Sequence, residues 1–313
     1  MSPPSRIRAA TRGDLPEIVD LLNACDVADV GVPDTSSEDA ERDWTMDGFD
    51  LRADAWVAVG PSGDLVGHAY TGDQYRTGEL EADFWIHPEH DEPELAARLL
   101  GLAERRAREV AAARGYGDGA ALDIFCIAVN RAKRDLLLRH DYALLRTVYR
   151  MAADLTGEPP PATTPPGLEI RPFRPGTDER LMHETMHEAF ADHFRQSAEP
   201  FEAWQRRLMG HADFDPGLWF LAWDGGQAVG ALIAYEYGDL GWVQGLGVRR
   251  PWRRRGLGGA LLGHAFAEFA RRGQRRLELG VDAEGATQPL RLYERAGMHV
   301  TFVYELFARR LAG

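Results

Sequence analysis

The chain carries one passage twice, on either side of a proline-rich stretch, and no other feature constrains its fold as much. Residues 156–166 read Thr-Gly-Glu-Pro-Pro-Pro-Ala-Thr-Thr-Pro-Pro. Consecutive prolines cannot donate backbone hydrogen bonds and favour extended, semi-rigid chain. The stretch reads as a linker between two domains, 1–155 and 167–313, each of ordinary domain size. Each half opens with a short strand near Ile7 or Ile170, then an aspartate (Asp14, Asp178) and a helical run. Those runs span 15–23 in the first half and end at Phe190 in the second. Two strands joined by turn residues follow, at 55–59 and 66–72, then at 218–223 and 228–235. A further strand ends at Ile86 in one half and at Val248 in the other. A long amphipathic helix comes next, over 94–114 and 256–272, and another strand and a short helix close each half. This order predicts a duplicated α+β fold, each copy a mixed, mostly antiparallel sheet flanked by helices.

Charge and cysteine usage narrow the function. Net charge is −13, and nearly all of it falls in residues 1–155. Nucleic acid and anionic membranes both reward basic surfaces, so neither is an expected partner. The local exception is Arg249, Arg250, Arg253, Arg254 and Arg255, within seven residues. Cys25 and Cys126 stand alone, which excludes a disulfide framework and a cysteine-rich metal site and suits a reducing cytoplasm. No stretch approaches the roughly 18 apolar residues of a membrane helix, and the N-terminus has no apolar secretory core.

The arginine cluster lies in Leu246-Gly247-Val248-Arg249-Arg250-Pro251-Trp252-Arg253-Arg254-Arg255-Gly256-Leu257-Gly258-Gly259. A strand runs into an arginine- and glycine-rich turn, and the turn opens a helix. Unpaired N–H groups at a helix N-terminus attract anions, and glycines at 256 and 258 let backbone approach a phosphate. The bland alternative is a solvated basic turn capping an ordinary helix. The spacing decides between them. R-x-x-G-x-G after a strand ending in valine resembles the acetyl-CoA motif of the GNAT-type N-acetyltransferases. It lacks the parallel-strand G-x-G-x-x-G of dinucleotide sites and the Lys-Ser/Thr of a P-loop. A second block, Leu290-Arg291-Leu292-Tyr293-Glu294-Arg295-Ala296-Gly297-Met298, is similar to the family's L-Y-E-x-x-G-F helix, with methionine for phenylalanine.

The resemblance implies roles for particular residues. Leu246, Gly247 and Val248 would meet the pantetheine arm of acetyl-CoA. The backbone over 254–259 (Arg254, Arg255, Gly256, Leu257, Gly258, Gly259), with the Arg253 side chain, would hold its pyrophosphate. Tyr293 matches the tyrosine that protonates the departing thiolate. The family often has asparagine seven residues earlier, where this chain has Ala286. A base for the acceptor is not marked: Gln244 cannot titrate, and His193, Glu236 and Asp239 are candidates for the acceptor side. The resemblance covers essentially all of 168–313, and a tandem with one degraded copy resembles the mycothiol synthase group, although no residue reads mycothiol itself. The proline-, alanine- and arginine-rich composition fits an actinobacterial genome.

In the first half, Asp91 stands opposite Arg253, Glu94 opposite Gly256 and Ala96 opposite Gly258, while Pro93 removes a donor amide. Asn130 keeps the family asparagine, but Leu137 replaces the tyrosine. This copy is expected to bind no CoA and to brace its partner domain. His183-Glu184-Thr185-Met186-His187 matches the zinc motif H-E-x-x-H, yet a third ligand is not evident from nearby Asp192 and His193. Lining the acceptor side fits the context better than zinc, plain helix-surface histidines fit it best of all, and no metal is expected. The expected reaction is direct acetyl transfer from acetyl-CoA to the primary amine of a small molecule or peptide. The acidic first half favours a cationic acceptor. The alternative is a CoA sensor or scaffold without turnover. A homodimer is left open.

Overall fold

The duplication is visible in a pair of matching ion pairs. Arg8 on the first strand grips Asp14 with both terminal nitrogens at 2.7 Å, and Arg171 grips Asp178 in the same way at 2.6 and 3.1 Å. In each case the aspartate sits where a strand turns into a helix, so one fork-shaped contact fixes the turn. The computed structural model describes residues 4–45, 48–74, 76–90, 92, 94–157, 163–191, 193–194, 199–284 and 290–311.

The chain divides into two compact units, Met1–Thr147 with Val303–Gly313, and Val148–Phe302. The first contains β1 (Arg6–Ala9), α1 (Leu15–Val30), α2 (Ser37–Arg42), α3 (Leu51–Asp54), β2 (Ala55–Val59), β3 (Leu65–Gly72), β4 (Glu79–Ile86), α4 (Leu95–Arg114), β5 (Ala121–Ile127) and α5 (Arg131–Arg139). β6 (Ala143–Asp154) leads into the second unit. There follow β7 (Leu168–Pro172), α6 (Glu179–Phe190), α7 (Phe201–Met209), β8 (Phe220–Asp224), β9 (Gln227–Tyr237) and β10 (Leu240–Val248). α8 (Leu257–Arg271), β11 (Arg276–Asp282), α9 (Leu290–Arg295) and β12 (His299–Arg310) complete the chain.

In the first unit the strand order is β1-β2-β3-β4-β5-β12, antiparallel except for the parallel pair β4–β5. In the second it is β7-β8-β9-β10-β11-β6, antiparallel except for β10–β11. The units therefore differ from the sequence halves by one strand each. Residues 148–154 of β6 pair with β11, and residues 304–310 of β12 pair with β5. Of the expected linker, residues 158–162 lie outside the described residues. Thr163–Pro166 forms neither helix nor strand, and the Thr164 hydroxyl meets His264 Nε2 of α8 at 3.4 Å.

Each sheet buries both faces. In the first unit Leu95, Leu99, Leu100, Ala103 and Ala107 of α4 cover one face, and Ile18 and Leu22 of α1 pack with Trp44 and Val57 on the other. In the second, Leu257, Leu261, Phe266 and Phe269 of α8 join one core with Met182, Trp204 and Trp219. The equivalences run in register. Gly67 faces Ile86, and Gly230 faces Val248. A Cβ on either glycine would lie 3.1 Å from a helix leucine, Leu99 or Leu261. Glycine at both points lets the helix lie close on its sheet.

Candidate functional site

In the second unit, β10 and β11 part company half-way along. Their parallel register runs from Leu240↔Arg276 to Val243↔Leu279 and ends there. A bulge between Val243 and Gly245 marks the point, with Gln244 at its apex. Beyond it β10 stays with β9 as far as Val248↔Gly230, and β11 stays with β6 as far as Asp282↔Val148. The facing edges over 245–248 are left without a strand neighbour, and such an edge readily takes a second extended amide chain. α6 lies directly on this stretch. A Cβ on Gly245 would come 2.6 Å from Met186 Cε, and one on Gly247 would come 2.7 Å from Ala189 Cβ.

The turn after β10 enters the left-handed region twice, at Arg254 (φ +63°) and Gly256 (φ +82°). Gly256 is the N-cap of α8, and no side chain caps this helix. Its first amides are therefore available to an anion, with the positive end of the helix dipole behind them. At Gly258 a Cβ would stand 3.1 Å from Leu292 Cδ2, so glycine there lets α9 lie close on the first turn of α8. Arg254 and Arg255 are exposed beside it. A strand edge free to pair with an extended amide chain and an anion-ready helix terminus are the two features that the resemblance to acetyl-CoA-dependent enzymes leads one to expect here. Arg253 departs from expectation. Its guanidinium donates to the carbonyls of Val248 (3.0 Å) and Ala189 (2.8 Å), so its side chain braces β10 against α6. The carbonyl of Val248 is thereby committed to the protein.

Tyr293 is buried on α9 in the core cluster of the unit. Burial pushes its phenol up to about 12, so it stays protonated and can donate. Ala286, noted as the replacement for the family asparagine, lies outside the described residues, as does Asp192.

Next to the bulge is a cavity of about 200 Å³ walled by α6, α7, β9 and β10, including His183, His187, Phe190, Trp204 and Gln244. Both histidines of the H-E-x-x-H motif line it, with ring centres 6.1 Å apart. The His183 ring packs on Phe201 and Trp204, and its Nε2 donates to the Glu199 carbonyl at 2.9 Å. Glu184 points to solvent, and no group of three or more metal-ligating side chains is assembled among the described residues. Glu199 is held by Nε and Nη2 of Arg207, at 3.0 and 2.6 Å.

The three acceptor-side candidates fare differently. Glu236 and Asp239 are at the β9–β10 turn, and Glu236 is tied to Arg272 (3.2 Å) and Gln274 at the C-terminal end of α8. β10 separates that turn from the glycine cradle by roughly 26 Å at ~3.3 Å per residue. These two carboxylates therefore do not join the site. His193 stacks against Phe190 at 4.4 Å. Burial lowers its pKa, with Asp282 opposing this and Arg253 adding to it. It does not line the cavity. Sequence reasoning did not find α7, whose Trp204 and Arg207 close the cavity. The only available signal was the aromatic pair Phe201 and Trp204 three residues apart.

The first unit has the same parting of strands, but its own side chains occupy it. β4–β5 pairing runs from Glu79↔Ala121 to Ala82↔Ile124 and stops. At the next residue, Asp83 binds the ammonium of Lys133, the chain's single lysine, which also lies over Phe84 and Trp85. Further along, Cys25 Sγ donates to the Ile86 carbonyl at 3.2 Å. Asn130 caps α5 through the Lys133 amide and donates to Asp29. Leu137 occupies the place of Tyr293: Tyr142 N donates to Leu137 O just as Met298 N donates to Tyr293 O. Glu94 begins α4 in right-handed geometry (φ −85°), where Gly256 is left-handed. Asp91 and Pro93 lie outside the described residues.

Comparison with known proteins agrees with this geometry. A family model described as the acetyltransferase (GNAT) family matches residues 179–298. A mycothiol acetyltransferase of Geodermatophilus obscurus is 31% identical over 250 residues, 77% of this chain and 77% of that protein. The crystal structure of a GCN5-related N-acetyltransferase from Sphaerobacter thermophilus is 34% identical, with a TM-score of 0.89, covering 99% of this chain and 96% of that one. A tandem GNAT protein from the clavulanic acid biosynthesis pathway shares the fold at 14% identity, with a TM-score of 0.71 over 99% of both chains. No helix among the described residues is long and apolar enough to cross a membrane.

Proposed function

Because the chain belongs to the acetyltransferase (GNAT) family and is an acyltransferase, we propose that unit Val148–Phe302 moves an acetyl group directly from acetyl-CoA to the primary amine of a small molecule. The observation that carries this is a single continuous arrangement. An uncapped helix N-terminus behind a left-handed glycine, an unpaired strand edge and an aromatic-walled cavity meet along β10. Acetyl-CoA supplies an activated acyl group whose thiol is a good leaving group. The amides of 257–259, with Arg254 and Arg255, hold the diphosphate. The free edge of Leu246 and Gly247 orients the arm, and the bulge at Gln244 turns its end toward the cavity. Tyr293 hands its hydroxyl proton to the departing sulfur. The buried phenol is the protonated form throughout the physiological range, which suits a donor.

One site per chain follows from the first unit. Its strand gap is filled by Lys133, Asp83 and Cys25, and Glu89 and Glu94 stand where a diphosphate would lie. Support for a small acceptor comes from the size of the cavity and from the relative named for mycothiol. The test is steady-state thiol release from acetyl-CoA with a panel of primary amines that includes deacetylated mycothiol. Turnover with at least one amine is expected. Tyr293→Phe should cut kcat by about 10²-fold or more while leaving acetyl-CoA affinity within twofold. Tight binding with no release on any amine would support a CoA sensor instead.

A further inference from the structure

We propose that His187 is the base that accepts the proton of the acceptor amine, an assignment that rests on the acetyl-transfer reading above. The argument is one of position and of elimination within the cavity beside the bulge. The titratable groups lining that cavity are His183, His187, Glu199 and Arg207. Glu199 is neutralised by a two-pronged contact with Arg207. His183 spends Nε2 on the Glu199 carbonyl and is wedged between Phe201 and Trp204. Gln244, at the bulge, cannot titrate, and its Oε1 already accepts from Trp242 Nε1 at 3.0 Å. His187 alone among these lining groups makes no hydrogen bond to a described residue. Outside the cavity, Glu236 and Asp239 belong to the far turn, and Glu278 is clamped by Arg150 and Arg276.

Position agrees with elimination. Met186 of α6 lies on the bulge, its Cε 2.6 Å from where a Cβ on Gly245 would stand. His187 lines the same cavity as Gln244 and Gly245, beside the point where the strands part and the acyl end of the arm would arrive. Among the described residues the charges around His187 are few. Along α6 they are His183, exposed Glu184 and Glu188, the last paired with Arg249 at 3.3 Å. From α7 and the residues before it come Glu199 and Arg207, and β10 contributes only neutral Gln244. In the reaction the amine nitrogen forms a bond to the acyl carbon as the carbon–sulfur bond breaks. The electron pair of that bond leaves with sulfur, which takes the Tyr293 proton. The surplus N–H proton passes to the His187 ring and then to solvent, and solvent reprotonates Tyr293.

The experiment compares wild type, His187→Gln, His187→Ala and His183→Gln. Acetyl-CoA binding by calorimetry and the pH dependence of kcat/KM are read on the same preparations. His187→Gln should bind acetyl-CoA within twofold of wild type, lose about 10²-fold or more in kcat, and lose the acidic limb of the pH profile. His183→Gln should keep that limb. Added imidazole should restore part of the activity of His187→Ala, and more basic imidazoles should restore more. An acidic limb that persists in His187→Gln with kcat within threefold of wild type overturns the assignment. So does the absence of imidazole rescue in a His187→Ala protein that still binds acetyl-CoA. If wild type binds acetyl-CoA but acetylates no amine, the acetyl-transfer reading fails, and this assignment fails with it.

Discussion

Gly256 allows backbone strain and charge to be separated at one atom. Its φ of +82° lies where a Cβ costs an L-residue about 1–2 kcal/mol. Space is not the obstacle, since the nearest atom to an added Cβ is Pro165 Cγ at 3.9 Å. Gly256→Ala should therefore lose about 1–2 kcal/mol of stability, or roughly 2–8 °C in Tm for a unit of this size. It should still bind acetyl-CoA, because the helix amides remain. Gly256→Glu adds a carboxylate at the mouth of the cradle. A unit charge about 4 Å from another repels it by about 1 kcal/mol in water and about 4 kcal/mol at an effective dielectric of 20. A half-open site holding a doubly charged diphosphate should lose about 2–4 kcal/mol, or roughly 30-fold to 1,000-fold in Kd. Raising the salt should narrow the gap between the two variants. Titration calorimetry with acetyl-CoA on the three proteins, at low and moderate salt, reads all of this. One site in wild type, kept in the alanine variant and lost in the glutamate variant, is the expected result. Unchanged affinity in Gly256→Glu would refute the cradle. Two sites in wild type would refute the reading of the first unit.

Three further outcomes follow from particular contacts. Lys133→Met strands the half-buried Asp83 carboxylate and should destabilise the first unit by about 3–5 kcal/mol in urea unfolding, with acetyl-CoA affinity unchanged; adding Asp83→Leu should recover most of the loss. Gly247→Val drives a branched side chain against Ala189, only 2.7 Å from the new Cβ, so α6 must lift. A stability loss of about 1–3 kcal/mol and a raised KM for the amine are expected. Asp14 is held at about 2, chiefly by its hydrogen bonds from Arg8, with Thr11 adding to the effect and burial opposing it. Its folded value lies below the unfolded one, so its contribution is complete above about pH 4 and fades as pH falls toward 2. The gap in urea midpoint between wild type and Asp14→Asn should shrink over that interval.

Much of the site was legible in the sequence because it is local. The helices expected over 94–114 and 256–272 appear as Leu95–Arg114 and Leu257–Arg271, and the strands end at Ile86 and Val248 as read. Glycine spacing at a strand-to-helix turn is a backbone property, and backbone demands leave a mark on residue choice. What was not legible depends on partners. Nothing in the alternation of β6 or β12 says that each completes the sheet of the other unit. The arginine cluster could not reveal that the Arg253 guanidinium folds back onto two carbonyls while Arg254 and Arg255 stay exposed. Glu236 is close in sequence to β10 but at its wrong end, and only the strand direction shows this.

The two units treat the gap between their parted strands differently. Parted strands leave edge amides and carbonyls unpaired, and a buried unpaired group costs about 1–3 kcal/mol unless water or a ligand meets it. In the second unit the facing strand edge over 245–248 is left without a strand neighbour, and glycines at 245 and 247 make room for α6 on it. In the first, the scaffold is kept, including the Arg8–Asp14 pair that mirrors Arg171–Asp178. The slot, however, is filled from within. Burial raises the Cys25 thiol to about 12, which keeps its hydrogen on sulfur for the Ile86 carbonyl. The Lys133 ammonium is locked to Asp83 beneath it. The Lys133 and Asp83 side chains thus satisfy each other within the first unit, and the Ile86 carbonyl, like its counterpart on Val248, is paired with a side chain of its own unit. The first unit can therefore be stable without acetyl-CoA, and the second should gain stability when acetyl-CoA binds.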